Sequence, residues 1–180
     1  MSMRFCSCRA WLKAIATALF LLSTPAQAAP SEMMLTYELT NDMLRTSDTF
    51  SVTVYEDGIA LVHYPEYMEK AGDYNVELSP SEVQRIRLLL NHPLVQGFDP
   101  GQSRAKKKDI DAQSQELFAI SDDSWSNFEI HTPGAKKSIR WANLSIDADR
   151  YPQIGAFRKL AEIEAELLQL DQHPTAKAVD

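Results

Sequence analysis

Cysteine is nearly missing from this chain. It occurs only at Cys6 and Cys8, inside a stretch that reads as a removable export signal. Once that stretch is gone there is no thiol nucleophile, no thiolate metal ligand and no disulfide. Glycine is scarce too. The six glycines (Gly58, Gly72, Gly97, Gly101, Gly134, Gly155) never assemble G-x-x-x-x-G-K or G-x-G-x-x-G, the patterns whose backbone amides cradle phosphate. G-x-S-x-G and H-E-x-x-H are also missing, and Asp109-x-Asp111 lacks the glycine and closing glutamate of a calcium loop. What is there is ordinary: 180 residues, 44% hydrophobic and 24% charged, a composition that excludes collagen-like, low-complexity and wholly disordered chains.

Residues 1–28 have the organisation of a signal peptide. Arg4, Arg9 and Lys13 give a positive start, and no acid precedes Glu32. Ala14 to Leu22 (AIATALFLL) is apolar but far shorter than the ~20 residues that span a bilayer. Ser23-Thr24-Pro25 breaks the run, and Ala26-Gln27-Ala28 offers the small-x-small site of signal peptidase. The expectation is a bacterial periplasmic or secreted protein cut near Ala28. It would have no transmembrane segment after cleavage, and no lipid attachment, because no cysteine stands at the cleavage point. Cleavage removes three basic residues and no acid, leaving 15 basic against 25 acidic residues, a net charge of −10. Such a charge argues against nucleic acid, whose affinity comes from neutralised phosphates, and against anionic membranes. The Lys106-Lys107-Lys108 cluster, followed at once by Asp109 and Asp111, reads as a solvated loop.

Residues 29–170 predict one α+β domain. Leu35, Tyr37 and Leu39 alternate with polar residues, as do Phe50, Val52 and Val54, the period of a half-buried strand. Glu56-Asp57-Gly58 then turns the chain back into Ile59–Tyr64. A second hairpin is expected around Thr132-Pro133-Gly134-Ala135, with Phe128 and Ile130 on one side and Ile139 and Trp141 returning. Leu117 to Ile120 has the composition of a further strand. Ser79, Pro80 and Glu82 spell an N-terminal capping box for a helix whose stripe is Val83, Ile86, Leu89 and Leu90, ended by His92-Pro93. A second helix runs from about Pro152 to Leu170. It buries Ile154, Phe157, Leu160, Ile163, Leu167 and Leu170, and it turns Arg158, Lys159, Glu162, Glu164 and Glu166 outward. These elements predict an antiparallel sheet of about five to six strands, including the two β-hairpins, with two amphipathic helices on one face. The polar stretch 99–116 is expected to be a flexible loop, and 171–180 a disordered tail.

The chemistry-bearing residues are few. His63 and His131 lie on hairpin strands that could bring them together with Glu129, but no short-range ligand spacing supports a metal site, and none is expected. No cofactor and no catalytic residue is expected. The connection His63 to Tyr74 carries three tyrosines in polar surroundings, and tyrosine suits contact surfaces. Tyr64, Tyr67, Tyr74 and Trp125 are therefore the candidate binding residues. The competing expectation is that these rings seal the loop onto the sheet.

The order of a D-G hairpin (Val54-Tyr55-Glu56-Asp57-Gly58), a capped helix (Leu78-Ser79-Pro80-Ser81-Glu82) and a closing hairpin-plus-helix resembles small exported bacterial modules, among them the emfourin-type protein inhibitors of metalloproteases. The resemblance is one of element order and implies an inhibitor role without assigning it to residues. Together these features point to an exported, non-catalytic protein-binding module, an inhibitor or immunity-type protein whose partner is another envelope or secreted protein. The alternative is a small-molecule or glycan binder using the Tyr-rich loop 64–74.

Overall fold

The computed structural model describes residues 31–41, 48–114 and 123–179. The expected signal peptide and the expected strand at Leu117 to Ile120 lie outside the described residues. Period-2 patterning becomes one antiparallel sheet. Its strands are β1 (Met33–Asn41), β2 (Phe50–Tyr55), β3 (Ile59–Tyr64), β4 (Gly72–Glu77), β5 (Ser124–Thr132), β6 (Ala135–Ala142) and β7 (Lys177–Ala178), in the spatial order β6-β5-β1-β2-β3-β4-β7. The class is α+β as expected, with seven strands among the described residues rather than five to six. Both hairpin turns use glycine in the left-handed region, Gly58 at φ +90° and Gly134 at φ +83°. A Cβ on Gly58 would also stand 3.0 Å from the Leu78 carbonyl oxygen, so that turn tolerates no side chain.

One sheet face is apolar. Leu35, Tyr37, Val52, Val54, Val62, Val76, Phe128, Ile130 and Ile139 are all buried on it. Among the described residues five helices accompany the sheet, not two: α1 (Pro80–Leu90), α2 (Pro93–Gln96), α3 (Pro100–Ser114), α4 (Leu144–Arg150) and α5 (Gly155–Leu168), with a 3-10 turn at Leu170–Gln172. α1 starts as its capping box predicts, with the Ser79 side chain accepting from the Glu82 amide and the Glu82 carboxylate accepting from the Ser79 amide at 2.7 Å. All six apolar residues expected on the last helix are buried, from Ile154 to Leu170. The helix itself starts later than expected. The chain before it makes α4, entered through Asn143 in a left-handed conformation that no sequence period announces.

Three expectations are corrected by the fold. The stretch 99–116 is not a loop over most of its length, because Pro100–Ser114 is helical. Asp99 caps it, its Oδ1 accepting from the Gln102 amide at 2.9 Å, and Pro100 fills the first turn. After Gly101 the helix contains no glycine or proline, and alanine, lysine, arginine and glutamine carry high helix propensity. The tail is not loose either. β7 extends the sheet beside β4, Val179 donates its amide to the Asp73 carbonyl at 2.8 Å, and Thr175 Oγ1 accepts from the Glu77 amide at 2.9 Å. Finally, Glu164 does not face outward. It stands one turn beyond Leu160, on the buried stripe of α5.

Candidate functional site

The four residues singled out as a binding surface do not form one. Tyr64 ends β3 on the apolar face, 6% exposed, with its ring 5.1 Å from Phe50 and 5.7 Å from Tyr74. Tyr74 is half-buried beside it on β4, so both rings close the core at that end of the sheet. Burial, helped by the nearby Asp171 carboxylate, pushes the Tyr64 hydroxyl up to about 12. Only Tyr67, in the β3–β4 connection, is well exposed. Trp125 sits on β5, with β1 and β2 between it and β3, and on the opposite face of the sheet. His63 and His131 are likewise separated by two strands and do not meet. Among the described residues no cluster of three histidine, cysteine or acidic side chains is arranged to hold a metal ion.

Trp125 instead borders a concavity of about 380 Å³ that the sequence did not suggest. One wall is α3, contributing Arg104, Lys107, Lys108 and Asp111; the other is the end of the β5–β6 hairpin, contributing Trp125, Trp141 and Ala142. The volume is in the range of small-ligand sites. Lys107 anchors the arrangement. Its Nζ donates to both carboxylate oxygens of Asp147 on α4 at 2.8 Å, and the Trp141 indole N–H donates to the same carboxylate at 2.8 Å. Asp147 is fully buried, so its charge is held by these donors rather than by water. The Lys107 ammonium also lies 5.1 Å from the centre of the Tyr151 ring, and Tyr151 donates its hydroxyl to Asp111 Oδ1 at 2.7 Å. Burial, and then the Asp111 carboxylate, hold the Tyr151 hydroxyl above its ordinary value.

Two guanidinium groups lie against the indoles. Arg104 is 5.4 Å from the centre of the Trp141 ring, and Arg140 on β6 is 4.3 Å from that of Trp125. Such contacts are worth about 0.5–1 kcal/mol when exposed and more when dry. The cleft is thus rimmed with cations, on a chain of net charge −7, while Trp141, 3% exposed on the core face of β6, offers it almost no surface. Arg104, Lys107, Lys108 and Asp111 escape a reading by composition because their polar segment has the residue content of a solvated loop. The Asp99-Pro100 cap was the signal that could have placed them on one helix face, since 104, 107, 108 and 111 follow helical spacing.

A second polar constellation lies on the open face of the sheet. The His63 ring donates or accepts at both nitrogens, Nδ1 at 2.6 Å from Asp73 Oδ1 and Nε2 at 2.6 Å from Asp48 Oδ1. The Asp48 bond, and then the Asp73 bond, raise the imidazole above its ordinary value. Asp48 Oδ2 also accepts from the Glu66 amide at 2.8 Å, so the group ties three segments together. With both nitrogens occupied it has the bonding of a structural clamp.

No family model, curated protein or solved structure matches this chain. Among the described residues no helix is long and apolar enough to cross a membrane.

Proposed function

We propose that this protein is an exported, non-catalytic binding module that engages an anionic group of another envelope or secreted protein through the cleft between α3 and the β5–β6 hairpin. The observation that carries this reading is that Arg104 and Lys108 line the same concavity from one face of α3, exposed cations for which no carboxylate partner occurs among the described residues. A guanidinium and an ammonium without counter-charge on one helix face form a site for an anionic group. The negative charge of the rest of the chain disfavours nucleic acid and other polyanions, leaving small or locally acidic groups as the complement. The emfourin-type resemblance would make the partner a protease.

The test is cross-linked affinity capture from the envelope of the chain's own host, run with the wild-type chain and with the double variant Arg104→Ala, Lys108→Ala. Both side chains are exposed, so the variant is expected to melt with the wild type. One protein enriched by the wild type and lost from the variant supports the module and its face. Equal enrichment by both would remove the cleft from the interaction.

A further inference from the structure

We infer that the outer edge of β6 takes an extended acidic segment of a partner protein, paired main chain to main chain as an added strand. The inference rests on the proposed binding role of the cleft, which opens at the end of this strand, and adds the mode of recognition and the class of segment. β6 is the last strand of the sheet, with β5 on one side and no strand on the other among the described residues. The Asn143 amide donates to the Ser124 carbonyl at 2.7 Å, which fixes the parity of the β5–β6 ladder. Bonded pairs alternate along an antiparallel ladder, so Ser126–Trp141, Phe128–Ile139 and Ile130–Lys137 exchange their hydrogen bonds. Lys136, Ser138 and Arg140 therefore turn their amides and carbonyls away from β5, and all three residues are exposed. These backbone groups have no partner among the described residues. The opposite edge is closed. β7 covers β4, the Asp73 carbonyl accepts from the Val179 amide at 2.8 Å, and Thr175 Oγ1 accepts from the Glu77 amide and donates to the Glu77 carbonyl, each at 2.9 Å. The chain covers one edge with its own tail and leaves the other open to a strand.

Charge selects the strand. β6 carries Lys136, Lys137 and Arg140 and no acid. Lys136 and Arg140 flank Ser138 on the open face of the sheet. Lys136 pairs with Glu129, while Arg140 lies 4.3 Å from the centre of the Trp125 ring and has no carboxylate partner among the described residues. Lys137 points to the other face, where its Nζ donates to the Phe98 carbonyl at 3.1 Å. Arg104 and Lys108 line the cleft at the Trp141–Ala142 end of the strand. Apart from the Lys107–Asp147 pair, the strand and the cleft thus set Arg104, Lys108, Lys136, Lys137 and Arg140 against Asp111 and Glu129. Glu38 stands further in on β1, with Asn127 between it and Arg140. A second copy is a poor occupant, because two β6 edges paired antiparallel about Ser138 would set each Lys136 opposite an Arg140, and like charges directly opposite repel. A strand with acids opposite Lys136 and Arg140 meets both. Its pattern is acid-x-polar-x-acid, with the x residues on the core face beside Ile139.

The test is amide NMR titration with a capped synthetic peptide, Thr-Glu-Val-Thr-Val-Glu-Thr. Its controls are the lysine counterpart Thr-Lys-Val-Thr-Val-Lys-Thr and the acidic peptide N-methylated at its central threonine. The acidic peptide should bind at least tenfold tighter than either control. It should also slow hydrogen exchange at the Lys136, Ser138 and Arg140 amides tenfold or more while leaving β4 unchanged. Ser138→Pro removes one outward amide, a change that an edge strand tolerates, and should lose tenfold or more in affinity. Should that variant unfold, the N-methylated peptide asks the same question of the wild-type chain. Arg140→Ala should weaken the acidic peptide and leave the lysine peptide no weaker. Equal binding of the methylated and unmethylated peptides would overturn the inference, since side chains alone would then hold the segment. Equal binding of the acidic and lysine peptides, or binding by neither, would overturn it as well. The role of the cleft is judged separately, by capture with Arg104→Ala, Lys108→Ala. A partner lost from that variant while the peptide leaves the β6 amides unprotected keeps the cleft and removes the edge.

Discussion

The hydroxyl of Tyr37 on β1 donates to Oε1 of Glu164 on α5 at 2.6 Å, both residues buried and 127 positions apart in the chain. Ser126 on β5 donates to the same oxygen, so one carboxylate pins the helix to two neighbouring strands. The first prediction concerns this group. Tyr37→Phe removes a donor while preserving the ring and its contact with Phe128, leaving the carboxylate to Ser126 alone. A hydrogen bond to a charged group is worth about 1.5–3 kcal/mol, and the variant should lose that much in urea unfolding. The double variant Tyr37→Phe, Glu164→Leu should lose less than the two single losses added, because it leaves no carboxylate unpaired. Additive losses would show that the bond contributes nothing of its own.

The same pair sets an alkaline limit. Burial, and then the Glu164 charge, push the Tyr37 hydroxyl well above its ordinary value of 10.0. Below about pH 10 folded and unfolded chains both keep the proton, and stability does not depend on this group. Above it the unfolded chain ionises while the folded one does not, so stability falls as pH rises. Tyrosinate absorbance should appear together with unfolding for Tyr37, and Tyr37→Phe should flatten the alkaline slope.

At the acid end the dependence comes from Glu82. Its carboxylate is drawn down to about 2, first by the Ser79 hydroxyl, then by the Ser79 amide and His173. A depressed carboxylate stabilises the fold fully above its unfolded value of 4.5 and loses that contribution as pH falls towards 2. Ser79→Ala should cost about 1 kcal/mol near neutrality. It should also raise the Glu82 titration midpoint measured by NMR. An unmoved midpoint would show that the capping box does not hold the charge.

His63 runs in the other direction. Its imidazole is raised above 6.5 by Asp48 and then Asp73, the two carboxylates that bond to its ring nitrogens. The clamp is complete below about pH 6.5 and is lost as pH rises through the folded value, where one nitrogen gives up its proton and faces a carboxylate without it. Asp48→Asn and Asp73→Asn should each lower the His63 midpoint in an NMR titration, Asp48→Asn by more. The reverse order would reassign the stronger bond.

How much of this was legible in the sequence follows from where periodicity operates. Tyr37, Phe128 and Val52 alternate with polar neighbours, and Phe157 to Leu167 repeat at helical spacing, so the sheet face and the last helix could be read directly. Ser79 and Glu82 announced their cap because that motif is local. α3 could not be read from apolar spacing, since Ser103 is its one buried residue. It is held by Lys107 on Asp147, Asp111 on Tyr151 and Lys106 on the Gln153 carbonyl, partners about 40 or more positions away. Glu164 misled for the same reason. A carboxylate on a buried stripe reads as solvent-facing until the hydroxyls of Tyr37 and Ser126 are brought to it by the sheet. The cleft combined both failures, and of its lining only Trp125 was anticipated as a binding residue.

The attachment of α3 gives the last prediction. A helix with one buried residue gains little from apolar burial, so the Lys107–Asp147 pair should carry much of its docking. Removing Lys107 would leave the Asp147 carboxylate buried with the Trp141 indole as its remaining side-chain donor. Breaking one side of a buried pair costs about 3–5 kcal/mol. Lys107→Ala should fall at the low end of that range, because the lysine side chain is 30% exposed while the aspartate is 1% exposed and water can reach the pair from one side. Lys107→Met, Asp147→Leu should be milder than Lys107→Ala, since it removes the stranded charge. Amide hydrogen exchange along Pro100–Ser114 should accelerate in Lys107→Ala while β2 and β3 stay protected, because the lost bond joins α3 to α4 and not to the centre of the sheet. Exchange that accelerates equally everywhere would mean that α3 docks through the whole fold rather than through this pair, and the wall of the cleft would then be as rigid as the sheet behind it.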